Sequence, residues 1–253
     1  MDPTICFSCS KDFGDRELRK ISVYPVCDDC EIMIQNRSFP TWVKGFFVAI
    51  LLIVIGSWIW NWNFYQAYGN FREALESFST GDVTNARRLM SLASDEVPEV
   101  DDLKTLSRYF HGIELLKEDK SNEALAELTK CQEKLPESYN LQSLIIEAKI
   151  GSSFDNKDYH GFLDAAKERL AMDSTSPVSM TSVASAYACL YAVKGDEEDK
   201  NNAVRYLVKS KAIDSTSHEM KEYYSIVEYR LFSRNIIKRE DFIKQFPNGW
   251  NTN

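Results

Sequence analysis

Histidine is scarce in this chain of 253 residues, and an excess of positive charge is missing altogether. The three histidines, His111, His160 and His218, form no H-x-x-H or H-E-x-x-H arrangement, and no G-x-S-x-G, Walker or dinucleotide-binding signature occurs. No catalytic residue is expected, and the chain reads as a non-enzyme. With 30 basic against 38 acidic side chains the formal charge is -8. A phosphate backbone is gripped by a basic footprint, so no nucleic-acid partner is expected. Ten glycines and seven prolines argue against a collagen-like fibre, and 44% apolar residues against wholesale disorder. The mean hydropathy of -0.35 is that of a soluble protein. That average conceals a very uneven chain.

The most informative absence is local. No Lys, Arg, Asp or Glu stands between Lys44 and Arg72, and Gly45 to Trp60 reads GFFVAILLIVIGSWIW. About 20 helical residues at about 1.5 Å each cover the roughly 30 Å hydrocarbon layer of a bilayer. Trp58, Trp60, Trp62, Phe64, Tyr65 and Tyr68 crowd one end and Trp42 stands at the other, as amphipathic rings do at headgroup depth. Lys44 can snorkel. The competing account is a buried core helix; a removable signal peptide is disfavoured by the 40 residues in front and the lack of a small-residue cleavage pattern. The segment 41–65 is therefore expected to be a single transmembrane helix, meeting the lipid bilayer through 42–65. Arg37 and Lys44 precede its uncharged run from Gly45, while the next charges are Arg72 and Glu73. The positive-inside tendency then places the N-terminus in the cytoplasm and the C-terminal domain on the outer or periplasmic side.

Four of the six cysteines lie in the first 40 residues, where five basic residues face seven acidic ones. Cys6, Cys9, Cys27 and Cys30 form C-x2-C, a 17-residue spacer and C-x2-C. Two-residue spacing lets both sulfurs of a pair converge on one ion, and two pairs complete the tetrahedral S4 shell of structural zinc. Iron suits the same shell. With four thiolates there is no open position for water or substrate, so one structural Zn2+ is expected. Thiolates also persist in a reducing compartment, which agrees with a cytoplasmic N-terminus. Residues 1–40 resemble the zinc-ribbon and treble-clef group of small zinc modules, with VCDDCEIMIQNR as a knuckle leading into a helix from about Asp28 to Asn36. So short a segment buries little apolar surface, and the metal is expected to supply much of its folding energy.

Beyond the anchor, 24 basic and 31 acidic residues accompany a helical, repetitive pattern. Gly81, Ala86, Met90, Ala93 and Pro98 fall at tetratricopeptide-repeat (TPR) offsets, and Gly112, Leu115, Ala124, Leu128, Cys131 and Pro136 form a second copy. The 38-residue interval from Ala86 to Ala124 calls for extra residues in a connecting loop. A third copy runs through Ile146, Ser153, Tyr159, Phe162, Ala166 and Arg169. A fourth runs through Ala184, Ala188, Tyr191, Gly195, Ala203, Leu207 and Ser210, with DEEDKNN bulging before Ala203. His218 to Phe232 reads as a further helix and Arg234 to Phe246 as a shorter one. Residues 66–245 thus resemble TPR proteins, which implies an all-α, TPR-like α-solenoid, with 246–253 as a C-terminal tail. The first helix is expected to continue almost directly from the span, with Gly69 its weak point.

Stacked helix pairs leave a concave surface suited to a peptide or helix. Asn70, Arg108, His111 and Lys149 are the candidate partner-binding residues; each is otherwise an ordinary solvated side chain. Cys131 and Cys189 occupy small core positions and are expected to be buried free thiols. The acidic clusters around Asp95 to Asp102 and Asp196 to Asp199 read as turns and solvated faces. These features point to a membrane-anchored scaffold or assembly subunit with protein partners, expected to be subunits of a membrane complex, on both sides of the bilayer. The alternative is a transmembrane sensor coupling repeat-domain binding to a cytoplasmic effector.

Overall fold

The computed structural model describes residues 2–247 and 249–250 and divides the chain into two compact units between Trp62 and Asn63. The first unit holds both the cysteine module and the apolar helix.

In that unit Ile5 and Asp12 form an isolated antiparallel bridge. Strands β1 (Arg19–Ile21) and β2 (Tyr24–Val26) then make a hairpin, pairing Ile21 with Tyr24 across a two-residue turn. Ser22 opens the turn at φ 61°. Helix α1 (Asp28–Gln35) begins at Cys27 and carries Asp28, Asp29 and Glu31 in its first turn, where carboxylates complement the helix dipole. Helix α2 (Thr41–Trp60) starts behind Pro40 and reaches a hydropathy of 2.1 over 18 residues. It is long and apolar enough to cross a membrane. A soluble core helix of this composition would be largely buried, yet no residue of α2 is. Asn61 alone separates α2 from the helix that starts at Trp62, close to the nearly continuous run expected, and its side-chain amide donates to the Ser57 carbonyl at 2.8 Å.

The second unit is all helix among its described residues. Helix α3 (Trp62–Ser79) runs into it, followed by α4 (Val83–Glu96), α5 (Asp101–Lys117), α6 (Ser121–Thr129), a short 3-10 turn at Glu137–Tyr139, α7 (Leu141–Asp155) and α8 (Tyr159–Met172). Then come α9 (Pro177–Lys194), α10 (Glu197–Ile213), α11 (His218–Ser233) and α12 (Arg239–Gln245). Side-chain caps set several starts: Asp82 accepts from the Asn85 N–H at 3.0 Å, Asp158 from Gly161 at 3.0 Å and Ser217 from Met220 at 3.1 Å. Gly81 takes φ 86° in the α3–α4 turn, a conformation costly for side chains with a Cβ. From α4 to α10 each helix packs on its sequence neighbours, and α9 also packs on α11.

Small residues hold the helices close. Ala74, Ala86, Ala124 and Ala148 are fully buried in one core cluster with Met90, Phe110 and Leu128, while Ala184, Ala188 and Ala203 line another with Tyr224 and Val227. A Cβ built on Gly112 of α5 would lie 2.6 Å from Cγ and Cδ2 of Leu128 on α6. Helix α9 buries polar groups as well, and they are satisfied: Thr181 and Ser210 hydroxyls lie 2.8 Å apart and both donate to the Pro177 carbonyl.

Three local expectations are corrected. The extra length between Ala86 and Ala124 lies in α5, 17 residues long, between short links, and not in a long loop. DEEDKNN does not bulge: Asp196 accepts from the Glu198 N–H at 2.9 Å, and the other six residues form the opening turns of α10, where acidic residues are favourable. The helix expected from Arg234 forms only at Arg239, because Arg234 ends α11 at φ 55°. Phe246 and Trp250, placed in or beside the tail, pack on Tyr229 with ring centroids 5.2 and 5.8 Å away.

Candidate metal centre

Two local devices bring the four cysteines together. Cys6 and Cys9 lie on a tight turn, closed by the Ser10 N–H donating to the Cys6 carbonyl at 2.8 Å, with Ser10 at φ 57°. Cys27 and Cys30 open α1, three residues apart and so on one helical face. The Phe7 N–H donates to the Pro25 carbonyl at 2.8 Å, tying the turn to the hairpin. Arg16 pairs with Asp28 at 2.9 Å, joining the intervening loop to the start of α1; both side chains are exposed, so the pair positions more than it stabilises.

The four Sγ atoms lie within 4.8 Å of one another. Two sulfurs at tetrahedral vertices around an ion, with bonds of about 2.3 Å, stand about 3.8 Å apart. The Cys9 and Cys27 sulfurs are 3.9 Å apart, which fits such a shell and is far from the roughly 2.05 Å of a disulfide. All four cysteines are free thiols. Three are buried while Cys9 is exposed, and the Cys27 N–H points at the Cys6 sulfur from 3.4 Å. That N–H is the main reason the Cys6 thiol is brought down to about 6. The Cys30 thiol is pushed up to about 12, first by the Cys27 sulfur and then by burial. Like charges this close resist ionising together, and a cation among them removes the conflict. The donor set therefore suits a metal ion, with no ligand position left for a substrate.

The module's core is made from the site itself. Its six buried residues are Cys6, Leu18, Pro25, Val26, Cys27 and Cys30, with Phe13 and Ile21 packed against the cluster. Three of the six are cysteines, so an ion held by them would contribute directly to folding.

The candidate partner residues are dispersed. Asn70 on α3 donates to both carboxylate oxygens of Glu96 at 3.2 Å, and Lys149 on α7 pairs with Glu168 at 3.5 Å. Arg108, exposed, and His111, half-buried, are one turn apart on α5. No hydrogen bond or ion pair joins any two of the four among the described residues. Cys131 and Cys189 are fully buried in different clusters, and burial pushes both thiols up. Of the acidic groups around Asp196, Asp199 is half-buried and its carboxyl is pushed up, first by burial and then by the Asp196 charge.

Two features escaped sequence reasoning. Arg230 on α11 is 4% exposed, donates to Ser185 Oγ and the Ile237 carbonyl, and lies over the Phe154 ring. Its burial depends on three other segments, so nothing local announces it. In the first unit the exposed Phe7 and Tyr24 rings lie against each other, tilted by 34°, with centroids 4.3 Å apart.

Comparison of the chain with family models, with curated proteins and with solved structures found no match.

Proposed function

We propose that this chain is a non-enzymatic, single-pass membrane scaffold or assembly subunit. A zinc-stapled module faces the cytoplasm, and a TPR-like helical domain holds a protein partner on the outer or periplasmic side. The observation that carries the reading is α2: an apolar helix of 20 residues with none buried, set between a four-cysteine module and an all-helical unit. A soluble chain exposing that much apolar surface would aggregate, whereas a bilayer covers it.

The TPR-like reading is supported by burial at the repeat positions. Ala86, Met90, Ala93, Ala124, Leu128 and Cys131 are all fully buried, as are Ala166, Ala184, Ala188 and Ala203 in the later copies. Small buried residues at those offsets let paired helices cross closely, which is what builds a concave face in such arrays. Zinc is favoured over iron because two C-x2-C pairs closing a tetrahedral shell are the usual ligand set of a structural zinc ion. The cytoplasmic N-terminus rests on Arg37 and Lys44 beside the span and on the thiolates' need for a reducing compartment. The exposed Phe7 and Tyr24 rings offer the zinc module a surface for a protein partner.

Crosslinking in the native membrane, followed by identification of what is joined to each unit, tests the scaffold reading. Distinct partners on the two units are expected. Recovery of the bait alone from detergent extracts that preserve its zinc would refute it.

A further inference from the structure

Helix α1 contributes a single side chain to the core, Cys30. Every residue from Ile32 to Pro40 is exposed. Among them Ile32 is 58% exposed, Met33 64% and Phe39 70%, more apolar surface than so small a module normally leaves in water. The linker from Asn36 to Pro40 is five residues long, so it spans at most about 18 Å. The C-terminal end of α1 is therefore tethered within that distance of Thr41, where the apolar helix begins.

We infer that the C-terminal end of α1, through Ile32 and Met33, and the linker residue Phe39 lie in the headgroup layer of the bilayer that α2 crosses, holding the metal module against the lipid surface. This rests on the reading of α2 as a span.

Helical spacing supports it. Asp29, Ile32, Met33 and Asn36 follow one stripe at i, i+3, i+4 and i+7. The one charged residue on that stripe, Asp29, stands about 6 Å back along the axis from Met33, toward the end of α1 farther from the span. A helix entering the layer by its C-terminal end buries Ile32 and Met33 and leaves Asp29 in water. Arg37 is exposed between that end and the span, and Lys44 lies in the span's first turn. Both are placed for lipid phosphates, as cations flanking interfacial segments are. The short tether favours the bilayer over a soluble partner, because it keeps the lipid surface permanently at high effective concentration.

The test uses the full chain in vesicles of phosphatidylcholine and phosphatidylglycerol. An environment-sensitive fluorescent amino acid is placed, in separate proteins, at Met33, at Leu51 within the span and at Lys20 on the hairpin, each protein first shown to retain its metal. Lipids spin-labelled near the headgroup or near the bilayer centre, and aqueous iodide, serve as quenchers. Met33 should be quenched by the headgroup label and shielded from iodide, Leu51 by the central label, and Lys20 by iodide alone. Quenching of Met33 by iodide but by neither lipid, with Leu51 still quenched from the bilayer centre, overturns the inference and leaves the span standing. Met33 shielded from iodide and untouched by either lipid overturns it in favour of a protein-covered face. Leu51 open to iodide overturns the span reading and this inference with it.

Discussion

Replacing Gly112 with alanine separates local preference from packing, because the two predict opposite signs. Alanine is favoured over glycine inside a helix by about 1 kcal/mol, so propensity alone makes Gly112→Ala stabilising. The added Cβ would meet Leu128 Cγ and Cδ2, each at 2.6 Å, and the Leu128 side chain is fully buried. Carbon atoms in contact prefer about 3.5 to 4.0 Å, so the whole Leu128 side chain must move by about 1 Å into space already filled. Overpacking of this kind costs about 1 to 3 kcal/mol. The expected balance is a net loss of about 1 kcal/mol, which in a domain of this size lowers Tm by about 2 to 4 °C. Leu128→Ala alone should cost about 2 to 5 kcal/mol, and adding Gly112→Ala to it should recover part of that by filling the vacated volume. Thermal unfolding of the full chain in detergent, followed by far-UV circular dichroism at one scan rate, completes the cycle. A rise in Tm for Gly112→Ala in the otherwise unchanged chain, or additivity of the two changes, would refute the close helix crossing on which the repeat reading leans.

Cys27→Ser or Cys30→Ser should abolish stoichiometric metal and unfold the first module while the helical signal of residues 63–250 persists; full metal retention would break the four-ligand assignment. Ile53→Asp should impair membrane insertion by about 2.5 to 3.5 kcal/mol, read as a loss of alkali-resistant membrane association, and unimpaired association would count against a span. The Asp214 carboxylate accepts from the backbone N–H groups of Ser217 and Thr216, each at 3.0 Å, which lower its pKa below the usual 3.8. A depressed carboxylate stabilises the fold above its unfolded value and stops doing so as pH falls through the folded one. Asp214→Asn should therefore melt below the unchanged protein at neutral pH and converge with it in acid well under pH 3.8; a gap that widens on acidification would reverse the sign.

The site was legible because its chemistry is local. Two C-x2-C pairs declare themselves in any conformation, and an apolar helix long enough to cross a membrane declares itself by length and lack of charge. The helices from α4 to α8 were legible where a turn glycine such as Gly81, or a small residue at the repeat spacing such as Ala86 or Ala124, met an apolar period. What failed was read from composition. DEEDKNN looked like a solvated loop because it is charged, although acidic residues behind an Asp cap are what a helix N-terminus favours. Phe246 and Trp250 looked like a tail because their partner, Tyr229, lies on another helix. The burial of Arg230 is likewise set by Ser185, Phe154 and Ile237, three segments that meet only after folding.

Helix α9 lies against α8, α10 and α11, and it buries Thr181, Ser182 and Ser185 beside Ala184, Ala186 and Ala188. A helix enclosed in this way can release its amides only when its neighbours leave. The best-enclosed helix stands near the C-terminal end of the unit. Native-state hydrogen exchange should accordingly be slowest in α9, with α10 and α11 close behind, and progressively faster toward α4. The unit then opens from its N-terminal side, so its first helices are the ones that can rearrange at least cost while its C-terminal end keeps its form.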